Sequence, residues 1–283
     1  MTNEEAHRLA REKGVSRPLY AAVRLALVPL LRLYFRMHIS GSEHIPRAGA
    51  AILAPNHKSF YDSFFIALAT RRHLRFMGKT ELFEGFGGRL LVRLGAFPVR
   101  RGEADAEALA TARAILDQGG LLALFPEGTR VRDPETLGQP RRGAGRLALE
   151  SGAPMVPAAI TGTDRLWLGP IPKPKRVQLT FAEPIHVAEI AATPEEAGKL
   201  VEEALWPEVQ SEFRRLLGRP GLIAACFAAL GVGGGAIAVQ HRRSSGRKRL
   251  PLIGKPLRFR RKPARLSRAR ARLRRKPRRW GRR

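Results

Sequence analysis

Between residues 39 and 217, short apolar runs alternate with longer segments of helical periodicity, and this alternation is the strongest constraint on the fold. Short apolar runs bounded by glycine or proline are typical of buried strands, whereas apolar residues about every three to four positions are typical of helices. Strands that alternate with helices predict an α/β domain, with a mostly parallel central sheet flanked by helices. The predicted strands are Ala50–Ala54, Arg75–Met77, Ala96–Val99, Leu121–Phe125, Met155–Ile160 and Val177–Phe181, and the predicted helices are Ser59–Ala69, Leu82–Leu94, Ala104–Asp117, Gly143–Ser151 and Pro194–Leu217.

The link between the first predicted strand and the next helix carries residues suited to acid–base chemistry. His57 and Asp62 both lie in this strand-to-helix turn, the place where open α/β sheets put their binding groups. A carboxylate that accepts from one imidazole nitrogen leaves the other free to act as a base near neutral pH. The alternative is structural, since Ser59 and Asp62 also fit a helix N-cap and its N3 partner.

A pair of arginines follows the predicted strand Ala96–Val99. The guanidinium groups of Arg100 and Arg101 can each hold phosphate oxygens in a bidentate manner, which favours a phosphorylated ligand. Paired arginines are also common on solvated surfaces, so this stretch alone is a weak signal.

A more specific turn follows the predicted strand Leu121–Phe125. It contains a carboxylate on Glu127, a hydroxyl on Thr129 and a guanidinium on Arg130. Such a turn can bring Glu127 to a ligand hydroxyl and Arg130 to an anionic group. The apolar stretch Val156–Gly162 is better suited to walling a pocket than to acid–base work.

The N-terminal segment, residues 1–40, is predicted to associate with a membrane. Within the mostly apolar stretch Pro18–Met37 and its flank, four arginines fall in an arc of about 120° on a helix. They are Arg17, Arg24, Arg32 and Arg36, and Pro29 is expected to kink the helix. A basic stripe beside a wide apolar face is typical of a helix that lies in a membrane interface. The alternative is an amphipathic helix packed on its own domain.

Charge separates the C-terminal residues from the rest of this 283-residue chain. Residues 241–283 hold 21 of the 52 basic residues and no Asp or Glu, which predicts a disordered basic tail. Nucleic acid, anionic lipid or no specific partner would each fit its charge. Residues 218–240 are apolar, and within them Gly221–Val239 is too rich in Gly and Ala for a convincing membrane span. We expect an in-plane or hairpin membrane contact there. The single cysteine, Cys226, excludes an internal disulfide and a thiolate metal cluster.

These motifs together resemble the glycerolipid acyltransferase family, in particular the 1-acylglycerol-3-phosphate acyltransferases. The resemblance covers about residues 18–217 and departs from the family at Arg100, where members often have an acidic residue. The His-x4-Asp box appears as His57–Asp62, the Gly-x-Phe/Ile…Arg box as Gly95–Arg101, the Phe-Pro-Glu-Gly-Thr-Arg box as Phe125–Arg130, and the Val-Pro box begins at Val156.

The resemblance implies an acyltransferase domain at 41–217 that forms phosphatidic acid on the cytoplasmic face of the cell membrane. The acyl group would come from acyl-CoA or acyl carrier protein as co-substrate, with no cofactor and no metal. His57 would be the general base and Asp62 its orienting partner. The residues implied in substrate binding are Arg100, Arg101, Glu127, Gly128, Thr129 and Arg130.

Two other readings remain open at this stage. A related acyltransferase could use another acceptor, such as glycerol 3-phosphate or an amino-acid lipid. A non-enzymatic protein could instead bind membranes or nucleic acid through its basic tail. The expected partners are membrane lipids and the acyl donor, with no specific nucleic acid; the sequence does not indicate the oligomeric state.

Overall fold

A seven-stranded, mostly parallel sheet carries the fold, in the order β1-β9-β6-β2-β5-β3-β4. The computed structural model describes residues 1–85, 87–102, 105–168 and 171–218. The predictions for Gly221–Val239 and for 241–283 therefore lie outside the described residues. The strands of the sheet are β1 (His38–Ser40), β2 (Ala51–Pro55), β3 (Leu74–Lys79), β4 (Ala96–Val99), β5 (Leu121–Ala123), β6 (Met155–Thr161) and β9 (Gln178–Phe181), while β7 (Trp167–Leu168) and β8 (Ile171–Pro172) pair in a separate antiparallel ribbon.

Helices flank this sheet, so the α/β fold predicted from the sequence is confirmed. The described helices are α1 (Asn3–Glu12), α2 (Arg17–Tyr34), α3 (Asp62–Ala69), α4 (Gly87–Arg93), α5 (Ala106–Asp117), α6 (Gly143–Ser151), α7 (Val187–Ile190), α8 (Pro194–Leu200) and α9 (Trp206–Leu217), with short 3₁₀ turns at Ser42–His44 and Thr80–Leu82.

The central strand β2 fixes where a ligand site can form. It pairs in parallel with β5 on one side and β6 on the other, and all five of its residues are buried. After β2 the chain moves to one side of the sheet, to β3 and β4, and after β5 it crosses to β6 on the other side. Ligands of open α/β sheets bind at the carboxyl ends of strands where the strand order reverses. The turns after β2 and β5 both lie at this point.

The predicted element boundaries differ from the observed ones where local hydrogen bonds or glycines intervene. The helix predicted from Ser59 starts at Asp62, because the carboxylate of Asp62 accepts from the backbone N–H groups of Lys58 and Ser59 and holds the preceding turn. The helix predicted from Leu82 becomes α-helical only at Gly87, after Gly85 takes a left-handed φ of 78°. A π-helical turn at Val201–Leu205 interrupts the helix predicted over Pro194–Leu217.

The first forty residues are part of the domain rather than a separate appendage. Helix α1, which has no counterpart among the predicted elements, packs against α4, α5 and β4 and buries Ala6, His7 and Ala10. Strand β1 lies at the edge of the sheet, parallel to β9. The membrane-associating segment predicted at residues 1–40 therefore ends where strand β1 of the sheet ends.

Helix α2 runs along the domain with most of its surface exposed. Near its start, the hydroxyl of Tyr20 accepts from the N–H of Leu74, the first residue of β3. Just past its end, the carbonyl of Phe35 accepts from Val177, which precedes β9. Because β9 is antiparallel to β6, the start of β9 lies beside the carboxyl end of β6. Helix α2 therefore extends from the amino-terminal edge of the parallel strands to their carboxyl edge.

The exposed face of α2 is apolar. Tyr20 is its one buried residue, whereas Leu25 and Leu33 are 83% and 80% exposed. Among the described residues no single helix is both long and apolar enough to cross a membrane. Taken together, α1 and α2 satisfy that test of length and composition, but they are bent by 93°.

Candidate active site

His57 and Asp62 form a buried pair at the carboxyl end of β2. The imidazole Nδ1 lies 2.9 Å from Asp62 Oδ2, and His57 and Asp62 are 4% and 0% exposed. The same carboxylate oxygen accepts from the backbone N–H groups of Lys58 at 2.6 Å and Ser59 at 2.7 Å. An ionised carboxylate can only accept hydrogen bonds, so this contact places the imidazole proton on Nδ1.

The other imidazole nitrogen, Nε2, is the end of the pair that is open to a ligand. Within the described part of the chain, His57 Nε2 is buried and has no hydrogen-bond partner. With the proton on Nδ1, Nε2 carries a free lone pair. The ring is also held by stacking on Phe125, with 4.0 Å between the ring centroids. A rotationally fixed imidazole with an open lone pair is arranged to accept a proton.

The His57 backbone is held by Glu127, the carboxylate of the turn after β5. Glu127 Oε2 accepts from the N–H of His57 at 2.6 Å, and Oε1 accepts from Gly138 at 2.7 Å. Burial raises the pKa of Glu127, while these two N–H groups oppose that rise. Both oxygens are thus used within the protein. The role in hydroxyl binding that the sequence implies for Glu127 stays a prediction.

A cavity of about 240 Å³ opens beside His57. Phe60, Phe64, Phe76 and Leu91 are among its apolar lining residues, and Lys79, Arg101 and Arg130 supply its positive charge. Neither Arg101 nor Arg130 has a carboxylate partner among the residues described. Desolvation first, and the nearby charge of Arg130 second, lower the pKa of Arg101. The site therefore combines an apolar wall, a fixed imidazole and two unpaired guanidinium groups.

The two neighbouring arginines of the sequence motif have different surroundings. Arg101 lines the cavity, whereas Arg100 pairs with Asp105, with 3.4 Å between Nη2 and Oδ1. The backbone N–H of Arg100 also donates to Asp105, which in turn caps α5. Arg100 thus stabilises the loop before α5, and its predicted role as a helper in phosphate binding stays a prediction.

Gly128 and Thr129 shape the turn but are not among the residues that line the cavity. Gly128 has a left-handed φ of 65°, and a Cβ there would lie 2.7 Å from Arg141 Nε. The left-handed φ is the reason that glycine suits this turn, since the flexible Arg141 side chain could move away from a Cβ. The substrate contacts implied for Gly128 and Thr129 stay predictions.

Two further residues, Asn56 and Lys58, hold the site and were not predicted from the sequence. The amide of Asn56 makes two hydrogen bonds to the backbone of Ile160 on β6, at 3.0 and 2.7 Å. The ammonium of Lys58 donates to the carbonyls of Asp133 and Thr136, and burial lowers its pKa. The available signal was position alone, because both residues flank His57 at the end of a buried strand.

As regards metals, the described residues contain no group of three His, Cys, Asp or Glu side chains able to hold an ion.

Comparison with known proteins finds acyltransferases. A family model described as Acyltransferase matches residues 36–161, which includes His57, Asp62, Arg101 and Arg130. The 1-acyl-sn-glycerol-3-phosphate acyltransferase of Bacillus subtilis is 28% identical over 181 residues, covering 62% of this chain and 87% of the relative. The enzyme of the same name from Streptococcus pneumoniae is 27% identical, covering 71% of this chain and 74% of the relative.

A solved structure shows the same architecture. The crystal structure of the 1-acyl-sn-glycerophosphate acyltransferase of Thermotoga maritima matches with a TM-score of 0.56 and 25% identity, covering 71% of this chain and 84% of that one. The family-model match, these named relatives and the solved structure together support an acyltransferase of the glycerolipid family, and the His57–Asp62 pair has the chemistry that such an enzyme needs.

Proposed function

We propose that this enzyme transfers a fatty acyl group from acyl-CoA or acyl carrier protein to the free hydroxyl of 1-acylglycerol-3-phosphate, giving phosphatidic acid. One observation carries the proposal: His57 Nε2 is buried and has no hydrogen-bond partner among the described residues, and His57 lines a cavity that Arg101 and Arg130 also line. The relatives named for this reaction support the choice of acceptor.

His57 acts as the base in the proposed mechanism. Its Nε2 takes the proton of the acceptor hydroxyl while the hydroxyl oxygen attacks the thioester carbonyl carbon. Asp62 keeps the proton on Nδ1 and stabilises the imidazolium that forms. When the carbon–sulfur bond breaks, the imidazolium returns its proton to the departing thiolate, and a free thiol leaves. The imidazole is then neutral again and no covalent enzyme intermediate is needed.

Arg101 and Arg130 hold the acceptor phosphate. Both guanidinium groups line the cavity without carboxylate partners among the described residues, so their charge is available to an anionic ligand. Charge-assisted hydrogen bonds from arginine forks to phosphate are strong and directional. The apolar lining from Phe60, Phe64 and Leu91 accommodates the acyl chain.

Helix α2 attaches the enzyme to the cytoplasmic face of the cell membrane in this proposal. Its exposed side carries Leu25, Leu30 and Leu33, which no described part of the chain covers. An amphipathic helix of this kind lies in the interface with its apolar face about 5–10 Å into the lipid boundary. Because α2 reaches the carboxyl edge of the sheet, this placement brings the active-site edge close to lipid substrates.

An acceptor panel tests the proposed reaction. The purified full-length protein is incubated with labelled acyl-CoA or acyl carrier protein and with 1-acylglycerol-3-phosphate, 1-acylglycerol or glycerol 3-phosphate. We expect labelled phosphatidic acid, at least about tenfold faster than acylation of the neutral lysolipid, since two guanidinium–phosphate contacts are lost with the latter. Equal rates on the phosphorylated and neutral acceptors, or transfer to glycerol 3-phosphate alone, would contradict the proposal.

A further inference from the structure

A second concentration of arginines lies away from the catalytic cavity, in an open cleft of about 990 Å³ beside α2. We call this the basic cleft and define it by five of its lining residues, Arg24, Arg32, Arg47, Arg71 and Arg72. The other sides of the cleft are formed by β1, the loop before β2 and the end of α3. Glu43 is the one acidic residue among those that line it, so the cleft has a strong excess of positive charge.

The five arginines differ in whether they bond to the rest of the domain. Arg72 donates to the carbonyls of Pro46, Gly49 and Gly119, and Arg24 donates to Ala67. By contrast, Arg32, Arg47 and Arg71 are exposed and have no hydrogen-bond or ion-pair partner within the described ranges. Unpaired arginines gathered around one opening are suited to bind phosphate oxygens.

The positive charge continues into an adjoining cleft of about 450 Å³ that shares Arg71 and Arg72. Lys13, Arg17 and the buried Arg75 also line it, and none of its lining residues is acidic. Burial lowers the pKa of Arg75 to about 10. After burial, the charges of Arg17 and Arg24 further lower the pKa of His73. The field around the start of α2 therefore favours anions.

The geometry of α2 relates these arginines to its apolar face. At about 100° per residue, Leu33 lies roughly opposite Arg24 on the helix. The exposed residues within about 40° of Leu33 by the same rule are Ala22, Ala26 and Pro29. The apolar face thus points away from the domain, and Arg24 points towards it. A helix is about 10 Å wide, so when the apolar face lies in lipid the arginines beside α2 are level with the phosphate groups.

We propose that the basic cleft binds the phosphate-bearing headgroups of anionic lipids in a bilayer and orients the enzyme on the membrane. This inference rests on the membrane attachment proposed above and adds a lipid site separate from the one that holds the acceptor. The unpaired Arg47 and Arg71 make the contacts, and Arg72 fixes the loop that carries Arg47 through its bonds to Pro46 and Gly49.

Local arginine reactivity tests this site without interference from the basic tail. The full-length protein is treated with phenylglyoxal, which modifies arginine, and modification at each residue is followed by mass spectrometry. The samples contain no lipid, phosphatidylcholine vesicles, vesicles with added phosphatidylglycerol, or inorganic phosphate at the same phosphate concentration. The reference residues are Arg146 and Arg214, which are exposed on α6 and α9 and line neither cleft.

We expect the phosphatidylglycerol vesicles alone to slow modification of Arg47 and Arg71, at least about threefold relative to the reference residues. Equal slowing at all four residues would mean nonspecific adsorption and would overturn the proposal. Protection by inorganic phosphate would mean a free-anion site instead. If the protein binds vesicles but Arg47 and Arg71 stay unprotected, headgroup binding in the basic cleft is refuted and membrane attachment is retained. If the protein does not bind vesicles, both proposals are refuted.

Charge reversal gives a second measurement. Arg47→Glu with Arg71→Glu should lower partition onto phosphatidylglycerol vesicles about tenfold or more, since each basic residue near an anionic surface contributes several-fold to binding. The matched pair Arg146→Glu with Arg214→Glu should lower it less than about twofold. Equal losses in the two pairs would contradict the cleft. Acyl transfer by the same samples is measured separately. Loss of vesicle binding therefore tests the lipid site, and absence of acyl transfer tests the proposed enzymatic function.

Discussion

Two regions of the molecule concentrate positive charge, and they differ in what accompanies it. In the active site, Arg101 and Arg130 share a small, largely apolar cavity with His57. In the basic cleft, Arg47 and Arg71 face an opening about four times larger, without a buried carboxylate–imidazole pair. We propose that both regions bind phosphate, but of the two only the active site also holds a fixed imidazole that can accept a proton.

The difference lies in burial and in backbone support. Asp62 is fully buried and its carboxylate is tied to two backbone N–H groups, and Glu127 holds the N–H of His57. In the part of the chain that the structure describes, Arg72 and Arg24 are the two arginines of the basic cleft that bond to the backbone. Catalysis requires a fixed proton acceptor, whereas headgroup binding at a surface requires mainly charge and access.

The largest effect should come from removing the imidazole. We expect His57→Ala to lower kcat about 10²–10⁴-fold, the usual contribution of general base catalysis. Turnover is measured with labelled acyl donor and saturating acceptor, and circular dichroism confirms the fold. Arg146→Ala, which removes an exposed side chain on α6, is the matched control and should keep wild-type turnover. If His57→Ala retained more than about a tenth of wild-type turnover, His57 would not be the base.

A smaller effect on catalysis should distinguish the arginines of the active site from those of the basic cleft. Arg101→Ala should raise KM for 1-acylglycerol-3-phosphate in detergent micelles about tenfold, and change KM for 1-acylglycerol little, because a charge-assisted bond to phosphate is lost. Arg71→Ala in the basic cleft should instead have its main effect on binding to anionic vesicles. An equal rise in KM for both acceptors with Arg101→Ala would remove its role in phosphate binding.

The smallest effect on turnover should come from Glu127→Gln, which mainly changes stability. An amide can accept from only one of the two N–H groups that Glu127 now serves and turns a donor towards the other, at a cost of about 1–3 kcal/mol in the free energy of unfolding. Denaturant unfolding of the wild type and variant measures this cost. A variant as stable as the wild type would show that the two bonds contribute nothing.

The pH dependence of this stability difference has a definite sign. Burial raises the pKa of Glu127 above its ordinary value of 4.5, so above pH 4.5 the folded chain binds more protons here than the unfolded chain. This group therefore costs the wild type stability as pH rises through that window. The difference in the free energy of unfolding between the wild type and Glu127→Gln should therefore become smaller from pH 4.5 to neutrality. A gap that widens instead would contradict the raised pKa.

Periodicity was sufficient to predict the framework of the domain. The strand Ala96–Val99 and the helix Gly143–Ser151 were predicted with their observed bounds, because apolar runs and glycines mark both. Helix α1 was missed, since its sequence is largely charged and its buried face consists of small residues and His7. Strand β1 has only three residues, too few for a periodic pattern to show.

The sequence could identify the residues of the site but not all of their contacts. His57 and Asp62 are five positions apart across a turn, so their pairing follows from local geometry. The bonds of Glu127 to His57 and Gly138, and those of Asn56 to Ile160, join residues distant in sequence. Such contacts depend on strand order, which residue types do not specify. For the same reason the sequence showed four arginines on one helix face but not the cleft that two of them, Arg24 and Arg32, help to form.

The central claim is that His57 and Asp62 act as one unit, and a double-mutant cycle on kcat tests it most directly. His57→Ala, Asp62→Asn and the double variant are compared with wild type on 1-acylglycerol-3-phosphate. Because Asp62 takes part in proton transfer only through the imidazole, we predict that the double variant is no slower than His57→Ala alone, within about threefold. Losses that multiply, so that Asp62→Asn slows His57→Ala as much as it slows the wild type, would contradict the account.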